Sequence, residues 1–146
     1  MYENVLVPTD GSEGAEVAIE EALDIATMYE AAVHVVFVAD TTSLPSEIDQ
    51  GVLPSEIEET GRDIIDDVIE RAEEMGLTAR GEVLGGAAHE AIVDYADGHG
   101  IDLGVMGTHG RTGLRHYLIG SVTERVVRLA DASVLAVKRP GTTPSR

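Results

Sequence analysis

The sequence predicts an α/β fold, an open parallel sheet with helices on both faces. Five short apolar runs alternate with four helical stripes in the order βαβαβαβαβ, and that alternation builds parallel strands joined by crossover helices. The runs are β-branched and nearly unbroken, as in Ala32-Val33-His34-Val35-Val36-Phe37-Val38-Ala39, which suits strands covered on both faces. The chain has 146 residues, enough for one domain with a real core and too few for a second.

Each element has its own signal. Val5-Leu6-Val7-Pro8 reads as strand one, ended by the turn residues Thr9-Asp10-Gly11-Ser12. From Glu13 to Tyr29, Ala15, Ala18, Ile19, Ala22, Ile25, Ala26 and Tyr29 form a helical stripe. Strand two is Ala32–Ala39, and residues 40–53 are a loop with Pro45 and Gly51. Pro54-Ser55 opens helix two, whose inner face is Ile57, Ile64, Ile65, Val68, Ala72 and Met75 and which stops at Gly76. Gly61 is a weak point within it. Leu77–Leu84 has the poorest apolar pattern of the strands and is expected at a sheet edge. Gly85-Gly86 leads into helix three, Ala88 to Ala96. Strand four is Ile101–Met106, helix four Val122–Leu129 and strand five Ser133–Lys138. One domain is expected over residues 1–140, with a flexible tail over 141–146.

Composition excludes whole classes of function. There is no cysteine, so disulfides, thiolate metal sites and thiol nucleophiles are ruled out. The formal net charge is −17, and Lys138 is the only lysine. Such a surface repels nucleic acid and anionic lipid. The acid excess fits either a basic partner or solvation in a salt-rich cytoplasm, and its spread over helix faces such as Glu56 to Glu74 rather than in one tail favours the second. Neither a signal peptide nor a membrane-spanning run is evident, so the expected location is the cytoplasm.

The segment from Gly107 to Ser121 carries the chemistry. A strand, a glycine-punctuated loop and a helix start suit phosphate binding, because glycine lets the backbone approach an anion and a helix N-terminus attracts negative charge. In doubly wound sheets ligands sit at the carboxyl ends of the strands, where the strand order reverses. With strands one and four adjacent at that point, Pro8, Thr9, Asp10, Met106 and Gly107 meet in one crevice. The Gly-x4-Gly-Lys-Ser/Thr loop of nucleotide triphosphatases is absent. The first turn lacks Gly-x-Gly-x-x-Gly, which argues against a dinucleotide cofactor even though Asp40 ends strand two. His34 reads as packed core or as a solvent-facing edge, His89 and His99 as surface helix residues, and Tyr95 as a packing residue. His109 and His116 flank the loop without a nearby acid at metal-ligand spacing. Asp10 by itself fits an Asx-turn or helix cap as well as a ligand role, and Ser121 fits a helix N-cap as well as a phosphate contact.

The loop reads Gly107-x2-Gly110-x9-Gly120-Ser121, and here the chain resembles the universal stress protein family, in particular its ATP-binding branch. The resemblance extends to the opening Val5-Leu6-Val7-Pro8-Thr9-Asp10-Gly11-Ser12 and to Ser133-Val134-Leu135-Ala136-Val137, and so covers essentially the whole chain. It implies a Rossmann-like five-stranded sheet of order 3-2-1-4-5. It implies that Asp10 lies near the ribose or a phosphate-bound Mg²⁺ or Mn²⁺, and that the Val38 backbone reads the adenine edge. Met106 and Gly107 would lie along the ribose. Gly110, Gly120, Ser121 and Val122 would hold the phosphates, and Arg111 would offset their charge. The resemblance further implies ATP, with AMP as a variant, and a homodimer formed through strand five. No general base or arginine finger is identifiable, so a nucleotide-dependent stress-response regulator with at most slow ATP hydrolysis is expected, not a fast enzyme. The alternative is a dimeric interaction protein of the same fold that binds no nucleotide, a branch that tends to lack the spaced glycines. An adenylate-forming ligase would need a substrate domain and a further loop after strand one.

Overall fold

The computed structural model describes residues 2–41, 54–108 and 121–138. They form β1 (Asn4–Thr9), α1 (Glu13–Tyr29), β2 (Ala32–Asp40), α2 (Ser55–Glu74), β3 (Ala79–Gly86), α3 (Ala88–Gly98), β4 (Leu103–Gly107), α4 (Ser121–Leu129) and β5 (Ser133–Val137). The sheet is parallel, with strand order β3-β2-β1-β4-β5. The chain starts in the middle, moves outward to β3 and returns past β1 to β4, so the order reverses between β1 and β4. β3 is an edge strand, as its weak apolar pattern predicts.

Strand alternation sorts the core into two layers. Val5, Val7, Val33, Val35 and Phe37 face α1 and α2, where they meet Ala18, Ile19, Ala22, Ile65, Val68 and Ala72. Leu6, Val36, Val38 and Met106 face α3 and α4, against Ile92, Tyr95, Ala96 and Val126. Full burial of each such aliphatic side chain contributes roughly 1.5–3 kcal/mol. The alanine stripe of α1 lets that helix lie close on the central strands. Its N-terminus is capped by Ser12, whose Oγ accepts from Ala15 N at 3.2 Å.

Several expectations need correction. Met75 is 42% exposed, because α2 ends at Glu74 and Met75 has already turned away from the inner face. Tyr29 is likewise exposed at the end of α1, edge-on to Tyr2 at 5.3 Å between centroids. Leu23, outside the expected stripe, is buried instead. β3 begins at Ala79 and runs on to Gly86, β4 begins at Leu103, and Asp40 belongs to β2. Gly61 is a site of close packing: a Cβ there would lie 2.7 Å from Phe37 Cδ1 and 3.1 Å from Val83 Cγ2. The small residue that weakens α2 as a helix is what lets it press on the sheet. The expected tail beyond 140 and residues 42–53 of the expected loop lie outside the described residues.

Candidate functional site

The carboxyl ends of β1, β2 and β4, the starts of α2 and α3 and the first turn of α4 enclose a cavity of about 730 Å³, within the usual range for small-molecule sites. Pro8, Thr9, Asp10, Val38, Met106, Gly107, Ser121 and Val122 all line it. Of the expected site residues, Gly110, Arg111 and Gly120 lie outside the described residues, as do His109 and His116.

The β1–α1 turn is built from its own side chains. Thr9 Oγ1 accepts from Gly11 N at 3.1 Å, and Asp10 Oδ1 accepts from Ser12 N at 3.0 Å. Asp10 therefore does form an Asx-turn, and it borders the cavity as well. Ser12 and Ala15 at the start of α1 border the cavity beside Asp10.

Val38 has a structural reason to matter. The β1–β2 pairing ends at Thr9↔Phe37, whereas β2 stays paired with β3 as far as Asp40. Val38, Ala39 and Asp40 thus run past β1 and border the cavity on that side. On the other side β4 ends at Gly107. A Cβ at that glycine would lie 2.7 Å from the Gly14 carbonyl oxygen, so only glycine lets β4 reach this close to the start of α1. Thr108 N donates to Val137 O at 3.0 Å, which keeps the exit of β4 tied to β5. Ser121 is the first residue of α4, and Thr123 Oγ1 donates to the Gly107 carbonyl at 3.0 Å.

Phe37, Val38, Ile57, Ile92 and Met106 give the cavity apolar lining that suits a flat ring, and Asp10, Asp40, Glu56, Thr60, Thr108, Ser121 and Thr123 give it polar lining. The lining residues that sequence reasoning missed include Phe37, Asp40, Glu56, Ile57, Thr60, Ile92, Thr108 and Thr123. The βαβ order puts the start of α2 at this end of the sheet, but the sequence does not say which of its side chains reach the cavity. A second groove of about 370 Å³ lies alongside, between α1 and α2, lined by Glu13, Glu16, Asp63 and Asp67. Those carboxylates make it hostile to a polyphosphate.

Among the described residues no histidine lines the cavity. His34 is buried, with Nδ1 2.9 Å from Tyr95 Oη and Nε2 3.2 Å from Asn4 Oδ1. Burial, with smaller contributions from Arg80 and His99, lowers its pKa from 6.5 to about 4. His99 caps α3 and stacks on Tyr95 at 3.7 Å, and the side chain of His89 is 19% exposed, so neither is a simple surface residue. Tyr95 packs as expected and bonds as well. Among the described residues no helix is long and apolar enough to cross a membrane.

Comparison with known proteins gives a consistent result. The model of the universal stress protein family matches residues 1–138. Universal stress protein MJ0531 of Methanocaldococcus jannaschii is 37% identical over 143 residues, covering 96% of this chain and 84% of that protein. The solved structure of MJ0577, from the same organism, superposes with a TM-score of 0.86 at 33% identity, over 97% of this chain and 99% of that one. A universal stress protein solved in complex with cAMP superposes with a TM-score of 0.72 at 29% identity, over 94% and 98% of the two chains.

Proposed function

The chain belongs to the universal stress protein family, and from that premise we propose that it is an ATP-binding member, a nucleotide-dependent regulator with at most slow hydrolysis. The observation that carries this reading is the convergence of Pro8, Thr9, Asp10, Val38, Met106, Gly107, Ser121 and Val122 on one cavity. They come from four separate stretches of the chain, and each was expected at the nucleotide site. The apolar part accepts the adenine against Val38, with the ribose along Met106 and Gly107. The phosphates point toward Ser121, Val122 and the loop glycines Gly110 and Gly120. The cAMP complex of a relative supports an adenine nucleotide as the ligand class.

The charge balance limits the chemistry. Among the described residues the cavity is lined by Asp10, Asp40 and Glu56 and by no lysine or arginine. A triphosphate there depends on backbone N–H groups, on Arg111 and on a divalent cation. Asp10 suits Mg²⁺ or Mn²⁺, a hard cation that would take its other ligands from phosphate oxygens and water. In this reading the nucleotide is sensed and turned over slowly at most. The protein acts in the cytoplasm as a homodimer paired through β5.

The test is mass spectrometry of nucleotide released from the protein purified in high salt, followed by calorimetric titration of ATP with Mg²⁺. Co-purified ATP, or micromolar binding (about −8 kcal/mol), supports the reading. No nucleotide and no heat with ATP or AMP would reject it and leave a dimeric interaction protein of the same fold.

A further inference from the structure

Thr123 is buried to 4% exposure in the first turn of α4. Thr123 is the third residue of α4, so no carbonyl of its own helix lies one turn back, and its hydroxyl donates to Gly107 O at 3.0 Å, at the end of β4. That end is already held on two sides. Gly107 abuts Gly14 at the start of α1, and Thr108 N bonds to Val137 of β5. The Thr123 hydroxyl adds a tie to α4. It joins two parts of the cavity, the strand end with Met106 and Gly107 and the helix start with Ser121 and Val122.

We propose that Thr123 is a positioning residue for the nucleotide: by fastening α4 to the end of β4, it sets the separation between the ribose part of the cavity and the phosphate part. The proposal rests on the ATP-binding reading above. A ligand that spans both parts depends on that separation, and a ligand confined to one part does not. Adenosine occupies the base and ribose parts alone, whereas ATP bridges to α4. Loss of the hydroxyl also leaves the Gly107 carbonyl without this donor, which frees the strand end to shift relative to the helix.

The experiment is calorimetric titration of wild type, Thr123→Val and Thr123→Ser with ATP and with adenosine, with thermal melts confirming that each is folded. Valine keeps the branched shape and removes the donor; serine keeps the donor. The expected result is about tenfold weaker ATP binding in Thr123→Val, adenosine binding within twofold of wild type, and ATP binding restored in Thr123→Ser. If Thr123→Val does not fold, Thr123→Ala removes the same donor without adding bulk and is read the same way. Wild-type ATP affinity in the folded variant without the hydroxyl, or equal weakening of both ligands, overturns the positioning role while leaving the ATP reading intact. Wild-type protein that binds no ATP overturns both.

Discussion

His34 is a basic residue placed where only its neutral form fits. Asn4 Nδ2 lies 3.4 Å from the Gly100 carbonyl, which turns Oδ1 toward His34. Nε2 then carries the proton, and Nδ1 accepts from Tyr95. The network joins β1, β2 and α3 through side chains alone. Above pH 6.5 His34 is neutral in both folded and unfolded chains. As pH falls below 6.5 the unfolded chain takes up the proton while the folded one resists until about 4, so stability is lost across that window. Between pH 7 and 4.5 this amounts to about 2 kcal/mol. His34→Leu is expected to be less stable at pH 7 and to show a shallower decline, measured by urea unfolding in molar KCl at both pH values. Identical slopes in variant and wild type would show that His34 does not titrate this way. Sequence alone left His34 open between core and edge, because its partners Asn4, Tyr95 and His99 lie on other elements.

At the scale of elements, every strand and helix among the described residues was legible, and apart from Leu23 and Gly61 the disagreements fall at their ends. β3 was displaced toward Gly86 because its outer residues pair with β2 as far as Asp40, and nothing in a weakly apolar edge strand marks that limit. Met75 kept the helical spacing of α2, but the chain had left the helix before reaching it. The glycine loop is the opposite case: its spacing was readable although Gly110 and Gly120 lie outside the described residues. Ser121, which closes that spacing, does begin α4 and border the cavity. Gly110→Val or Gly120→Val is expected to reduce ATP affinity at least a hundredfold while leaving the far-ultraviolet circular dichroism unchanged. Normal binding by both folded variants would remove the loop from the site.

Over the whole molecule, edges and charge decide how the protein behaves. The two edge strands differ: β3 carries Arg80 and Glu82, whereas β5 is Ser-Val-Leu-Ala-Val with Leu135 37% exposed. Charge on an edge strand discourages pairing, and an apolar edge invites it, so a homodimer should form through β5. Sedimentation should find a dimer in wild type and a monomer in Leu135→Glu; a monomeric wild type would reject this edge as the interface. The charge is set by 27 acidic residues against 10 lysines and arginines. Arg71 bridges Glu16 at 2.8 Å and Asp67 at 3.6 Å, and Arg62 and Arg128 pair with Glu58 and Glu124. Even complete pairing would leave most carboxylates without a cation. At molar salt the screening length is ~3 Å, so the protein should melt markedly higher in molar KCl than in dilute buffer. An unchanged melting temperature would refute solvation of the acidic surface as an adaptation to salt.

The sequence by itself determined what local pattern can encode: the βαβ alternation, the parallel sheet, the glycine spacing after β4 and the acidic surface. These depend on the periodicity and identity of neighbouring residues. The strand order came through family resemblance, and the structure agrees with it. What only the tertiary structure decided are contacts between residues distant in the chain. Gly61 is a packing contact with Phe37, Thr123 reaches Gly107, and the start of α2 closes the cavity. Each arises from the distance at which one element settles on another, a quantity fixed by the side chains of both elements together and written in neither alone.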